Sequence, residues 1–285
     1  MPTRLPSPHR IKLRLEYRGT RYHGWQVQPQ VVTIQGTLEA CLARITNGPV
    51  RLHAAGRTDA GVHALGQVAH FDTTSAIALP ALVRGLNSLL PEDIVVLQAT
   101  EVPSDFHARY SAQQKTYAYM VHNHARRSAL HAPYAWHVPQ SLDIAAMRTA
   151  AQALLGQHDF SAFRAASCTA RSPVRCLACL AVKRRAARLF FVCRADGFLQ
   201  HMVRNIVGTL VEVGRGKLPA SAMAMILHSR QRQQAGPTAP PHGLFLVRVT
   251  YVGDTKAKGA CNPARERHLG ARQDQGDGSF SRDNL

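Results

Sequence analysis

The sequence predicts an α+β protein built from two tandem ferredoxin-like modules, each β-α-β-β-α-β, with mixed or antiparallel sheets and a cleft between them. Three observations predict it. The hydrophobic period switches repeatedly along the chain between two and about 3.6, so strands and helices alternate in a readable order. That order runs twice, over 10–108 and 109–253, although the second half does not visibly repeat the sequence of the first. A chain of 285 residues, 45% of them hydrophobic, is also long enough to bury two cores without help from disulfides or metal.

Strict alternation opens the first module: Ile11, Leu13, Leu15 and Tyr17 fall on one side, Lys12, Arg14 and Glu16 on the other. Ile34, Leu38, Cys41, Leu42 and Ile45 then recur at helical spacing until Gly48-Pro49 ends the element. Val50 to Ala54 reads as a short strand, and after a glycine-flanked loop Gly66 to Thr73 reads as another. Leu79, Leu82, Val83, Leu86, Leu89 and Leu90 make a helix stopped before Pro91, and "DIVVLQATEV" from Asp93 is a buried strand.

The second module starts with the strand "KTYAYMVHN" (Lys115 to Asn123). Leu142 to Leu155 follows as a helix, with Ser141 as N-cap and Gly156 as its stop. "SPVRCLACLAVKRR" and "ARLFFVCRAD" form a hairpin. Met202, Ile206, Leu210 and Val213 set a helix ending at Gly214, a short helix covers Ser221 to Ser229, and "GLFLVRVTYV" (Gly243 to Val252) closes with a strand. Between the last two, "SRQRQQAGPTAPPHG" reads as a loop, either one that orders on ligand binding or, on composition, a solvated linker. Residues 254–285 are polar, carry glycine and few large apolar side chains, and are expected to form a disordered tail.

Lys and Arg together number 35 against 17 acids, a formal charge of +18. Such an excess points to a partner rich in phosphate, nucleic acid or an anionic membrane face, and to binding that weakens with salt. No run approaches the roughly 18 apolar residues of a membrane span, and the start "MPTRLPSPHR" lacks the apolar stretch of a signal peptide, so a cytoplasmic protein without a membrane partner is expected. The six cysteines are too few and scattered for a secreted disulfide framework and are expected to be reduced; Cys176 and Cys179 form a C-x-x-C without the second matched pair of a structural zinc site.

The loop "HAAGRTDAGVH" (His53 to His63) places one carboxylate, Asp59, among glycines beside Arg57. Asp in such a loop commonly caps its own turn. In a strongly basic field, however, an ionised acid on a loop opened by Gly56 and Gly61 is equipped to act as a nucleophile or base. No second acid accompanies it, which argues against a glycosidase pair. H-E-x-x-H, a magnesium-type D-x-D and G-x-x-x-x-G-K-[ST] are all missing from the sequence. His53, His63 and His70 read as ordinary polar or half-buried residues, and no metal is expected.

Six ordered stretches carry a resemblance: "EYRGTRYHGWQ" (Glu16 to Gln26), "GRTDAGVHALGQVAHF" (Gly56 to Phe71), "DFHARYSAQQKTYAY" (Asp105 to Tyr119), "HDFSAFRA" (His158 to Ala165), "FLQHMVRNIVGTLVEVG" (Phe198 to Gly214) and the closing "GLFLVRVTY". From about residue 11 to 252 the chain resembles the bacterial tRNA pseudouridine synthase A family. The resemblance implies an isomerase that converts uridine to pseudouridine at positions 38, 39 and 40 in the anticodon stem-loop of tRNA, as a homodimer, with no metal or organic cofactor. It puts the catalytic aspartate at Asp59, its arginine partner at Arg204, and the tyrosine that stacks on the flipped uracil at Tyr117. Arg57 falls on the residue that fills the space left by the base or holds the backbone, and Leu244 and Leu246 on apolar walls of the uracil pocket. Tyr117 and Arg204 owe these roles to the resemblance: a strand aromatic is ordinarily core, and a lone helix arginine is ordinarily solvated. On charge and fold alone, a non-catalytic RNA-binding or RNA-chaperone protein fits the sequence equally.

Overall fold

Strand β1 (His9–Tyr17) buries Ile11, Leu13, Leu15 and Tyr17, as its alternation requires. The computed structural model describes residues 8–254. After β1 come α1 (Ile34–Thr46), β2 (His53–Ala54), β3 (His63–Thr73), α2 (Leu79–Leu89) and β4 (Ile94–Val102). The second half runs β5 (Ala112–Asn123), β6 (Trp136–Val138), α3 (Ile144–Gln152), β7 (Gly156–Asp159), β8 (Val174–Arg185), β9 (Arg188–Ala195), α4 (Met202–Gly214), α5 (Ala222–Ser229) and β10 (Leu244–Tyr251).

The pairings give β4-β1-β3 with β2 on β3 in the first half, and β10-β5-β9-β8 in the second, all antiparallel. Taken in chain order, each half is arranged fourth-first-third-second, the layout of the β-α-β-β-α-β unit. The two halves do not keep separate sheets. Strand β10 lies parallel to β3, pairing Phe245 with His63 and Leu246 with Ala64, so that one ten-stranded sheet results. Gly66 makes this seam possible, since a Cβ there would meet the Val247 carbonyl oxygen at 2.5 Å. Helix α1 packs on α2 and α3 on α4, and one continuous apolar core spans both halves.

Some boundaries depart from the sequence reading for local reasons. The strand expected over Val50 to Ala54 shrinks to two residues, because the Leu52 amide donates to Glu39 Oε1 and its carbonyl accepts from Gln35 Nε2. Both groups are thus spent on α1. Helix α3 begins after Asp143, whose carboxylate accepts from the Ala146 amide, so Asp143 and not Ser141 is the N-cap. It ends at Gln152, and Gly156, in the left-handed region at φ 95°, starts the unforeseen β7 instead of stopping the helix. Cys41, Cys168, Cys179 and Cys193 are free thiols, but Cys176 is disulfide-bonded, contrary to the expectation of reduced thiols throughout. The tail expected over 254–285 falls, beyond Asp254, outside the described residues. Among those described, no helix is long and apolar enough to cross a membrane.

Candidate active site

Asp59 sits where the edge of β3 changes partner. Strand β2 pairs with β3 at Ala69 and His70, β10 pairs with it at His63 and Ala64, and the loop between β2 and β3 leaves the sheet at that exchange. The loop is held from several sides. Trp25 donates its amide to the Thr58 carbonyl at 3.0 Å, the Val62 amide donates to the Asp59 carbonyl at 3.2 Å, and Gln67 Nε2 donates to the Gly56 carbonyl at 2.7 Å. Beneath it, the Tyr17 hydroxyl and Thr58 Oγ1 share a buried hydrogen bond of 2.8 Å. Gly24, at φ 83°, lets the segment between β1 and α1 approach so closely that a Cβ would lie 2.6 Å from the Thr58 carbonyl oxygen. A carboxylate on a loop so fixed needs little reorganisation to react.

The Asp59 side chain does not cap its own turn. Arg204 Nη1 donates to Asp59 Oδ2 at 3.2 Å, and His201 Nε2 lies 3.4 Å from the same oxygen. Both contacts fall on Oδ2, which leaves Oδ1 uncommitted to either. Arg204 projects from α4 away from the buried stripe of Met202, Ile206, Leu210 and Val213, as the spacing predicts. Its guanidinium is clamped on the other side, where Nε donates to the Ala239 carbonyl at 2.7 Å.

That carbonyl belongs to the segment read as a solvated linker, and the structure overturns the reading. Thr209 Oγ1 accepts the Gly236 amide at 2.9 Å, the Ala239 amide donates to the Arg204 carbonyl at 3.1 Å, and Arg232 Nη2 donates to Thr238 Oγ1 at 3.0 Å and Asn205 Oδ1 at 3.2 Å. Ala239 is wholly buried. The polar composition that suggests solvent serves instead to satisfy buried groups on α4.

His201 is the site residue that sequence reasoning missed. It stands at the N-terminus of α4 in the left-handed region, φ 62°, where a non-glycine residue is uncommon. Burial lowers its pKa; Asp59 pulls the other way, while Arg204 and Arg232 add to the lowering, so the imidazole is neutral at pH 7. The run "FLQHMVRN" contained it, but one histidine among 15 carries no mark of its own.

These residues line a cleft of about 1010 Å³. Tyr117 and Leu244 reach it from the adjoining strands β5 and β10, and the Tyr117 ring meets Phe198 edge-on at 5.0 Å. Burial, followed by Tyr17 and Asp59, pushes the Tyr117 phenol far above its ordinary range and keeps it protonated. Leu246 pairs with Tyr117 across the strands, but it is fully buried and not among the lining residues. Arg57 is exposed on the rim. Among the described residues that line the cleft, Asp59 is the only carboxylate, against Arg51, Arg57, Arg109, Lys115, Arg175 and Arg204. No group of three or more His, Cys, Asp or Glu among the described residues is placed to hold a metal ion.

A single acid in a cationic, aromatic-walled cleft suits covalent attack on an anionic, base-bearing substrate, and comparison with known proteins agrees. The family model described as tRNA pseudouridine synthase matches residues 15–111 and 150–252, which include Asp59, His201 and Arg204. The chain is 52% identical over 243 residues to tRNA pseudouridine synthase A of Myxococcus xanthus, covering 85% of this chain and 92% of that protein. It is 48% identical over 259 residues to the protein of that name from Chromobacterium violaceum, covering 90% and 99%, and 48% identical over 241 residues to that of Geotalea uraniireducens, covering 85% and 99%. With the family model covering both halves of the fold and relatives about 50% identical over most of their length, the chain belongs to the tRNA pseudouridine synthase family.

Proposed function

We propose that the protein isomerises uridine to pseudouridine in tRNA, with Asp59 as the nucleophile. One observation carries the reading: among the described residues, the only carboxylate lining the cleft is ion-paired through Oδ2 to Arg204 and surrounded by cations suited to RNA phosphates. A base inside a helix is out of reach, so the uridine must be flipped into the cleft. Asp59 Oδ1 then attacks either the ribose C1′ or the uracil C6. The N1–C1′ bond breaks, the base turns, a C5–C1′ bond forms, and the C5 proton is lost while N1 gains one, so that the product is an isomer and the carboxylate is regenerated.

Tyr117 lies under the base in this reading. Its protonated phenol offers a ring face to replace lost stacking, and with so high a pKa it is a poor ground-state base. Arg57 fills the gap in the helix or holds the backbone, and Leu244 forms an apolar wall; Leu246 supports that wall from behind through its strand. The anticodon stem-loop, positions 38 to 40, is the target, and the cytoplasmic homodimer lets one protomer hold the body of the tRNA while its partner presents a cleft. These finer points rest on the resemblance of the motifs, and the dimer is checked by sedimentation equilibrium.

The decisive measurement is tritium release from tRNA transcripts labelled at uridine C5. Wild type releases label, and Asp59→Asn, which keeps the shape and removes the charge, releases none while still binding tRNA. Release by Asp59→Asn, or none by wild type on any tRNA, overturns the reading, and the second result returns the protein to the class of non-catalytic RNA binders.

A further inference from the structure

Beside the Asp59 loop the cleft has a wall that the isomerisation does not use. It is formed by the turn 107–110 and the first residues of β5. Tyr110 is 76% exposed, the only aromatic among the exposed large apolar side chains of the described residues. An aromatic so exposed usually swings freely; this one is braced. The His107 Nδ1 accepts the amides of Arg109 and Tyr110 at 3.1 and 3.3 Å, and Ser111 Oγ accepts the His107 amide at 2.9 Å. With the imidazole fixed, the Tyr110 ring rests against it at 4.3 Å between centroids and 35° between planes. His107 in turn lies edge-on to buried His70 at 4.7 Å, which roots the pair in β3.

A cation stands over the ring. The Arg109 guanidinium is 5.7 Å from the Tyr110 centroid. Lys115 lies at the base of the same wall, its Nζ 3.6 Å from where a Cβ on Gly56 would be. Burial first, then Arg109 and Arg175, push the Lys115 ammonium down to about 8, with only Asp196 opposing. Like charges gathered around a half-buried amine disfavour one another until an anion arrives, and a phosphodiester removes that penalty.

We propose that this wall is a subsite for an unpaired nucleotide flanking the reacting uridine, its base stacked on Tyr110 and its phosphate held by Lys115, Arg109 and Arg175. The inference rests on the RNA-modifying reading above. Eversion of the uridine strips the flanking base of a stacking partner and exposes one of its faces. A duplex offers no such face, and single bases stack on aromatics whatever their identity.

The test uses stem-loop RNA with the full-length protein and compares wild type with Tyr110→Ala, Tyr110→Phe and Lys115→Met. Tyr110→Ala raises KM about ten-fold and lowers kcat much less, as expected for loss of one stacked base, and Tyr110→Phe, which keeps the ring, recovers most of the loss. Lys115→Met raises KM and makes binding less steeply salt-dependent. A fluorescent aminopurine placed next to the target uridine is quenched on binding to wild type and not on binding to Tyr110→Ala. An unchanged KM with unchanged quenching in Tyr110→Ala overturns the subsite. Absence of product from wild type overturns the catalytic reading instead, and the quenching comparison then decides the subsite alone.

Discussion

Asp59 Oδ2 has two neighbours that differ in kind. Arg204 supplies a permanent charge and a hydrogen bond, whereas His201, held neutral by burial and by the guanidiniums of Arg204 and Arg232, places a polar ring nitrogen 3.4 Å from that oxygen without a second charge. Two cations on one oxygen would bind the carboxylate too well for the attack proposed for it; one cation and one neutral imidazole leave that attack open. If Asp59 is the nucleophile, His201→Ala therefore lowers kcat about ten-fold, the scale of one polar contact to a charged group, and changes KM little. Alanine keeps the strain of roughly 1 kcal/mol that histidine already carries in the left-handed region, and glycine relieves it, so His201→Gly is the companion variant. Single-turnover kinetics should give the same rate loss for both, with the glycine variant the more stable. Recovery of the rate in His201→Gly would assign the effect to the backbone and not to the imidazole.

At the scale of elements, the segment between α5 and β10 holds Arg204 in place, and it depends on one missing side chain. A Cβ at Gly208 would lie 1.7 Å from the Pro237 carbonyl oxygen, against backbone that cannot yield without lifting the segment off α4. Gly208→Ala is predicted to cost about 1–3 kcal/mol, the range of overpacked sites. It should reduce kcat beyond what the lost stability explains, because the Ala239 carbonyl moves away from Arg204. Thermal melts and kinetics at a temperature where the variant is folded separate the two effects. The order of strands and helices was legible because alternation and helical spacing are local; α1, α2, α4 and β10 fall within a residue or so of their expected limits. Strands β6 and β7, three and four residues long, are too short to show a period. The seam between β3 and β10 joins residues far apart in the chain, and its only trace is Gly66. The Asp59 loop drew notice as a lone acid among glycines and cations, whereas the clamp on Arg204 left no trace, since a polar linker and a polar network over a helix share one composition.

For the whole molecule, the charge that suits RNA works against stability, and buried histidines add to this on acidification. His63 and His70 are each 2% exposed, and burial, together with nearby cationic groups, lowers both to about 4. In the unfolded chain an ordinary histidine titrates near 6.5. Below that value the unfolded state takes up protons that the folded state refuses, so stability is full above about pH 6.5 and falls as the pH drops towards 4. Each residue contributes a slope of up to about 1.4 kcal/mol per pH unit. Asp72 and Asp93 do not share this window, because their carboxyls titrate below the usual 3.8: Asp72 is held there by Arg10, and Asp93, despite its burial, by Tyr22 and Arg21. Urea denaturation at pH 7.5 and pH 5 should therefore show a loss of up to roughly 4 kcal/mol at the lower pH, with no further help needed from the carboxylates. Stability that held constant or rose on acidification to pH 5 would mean that the two imidazoles accept protons within the fold, and that the β3 edge carrying the Asp59 loop is more open to water than its packing indicates.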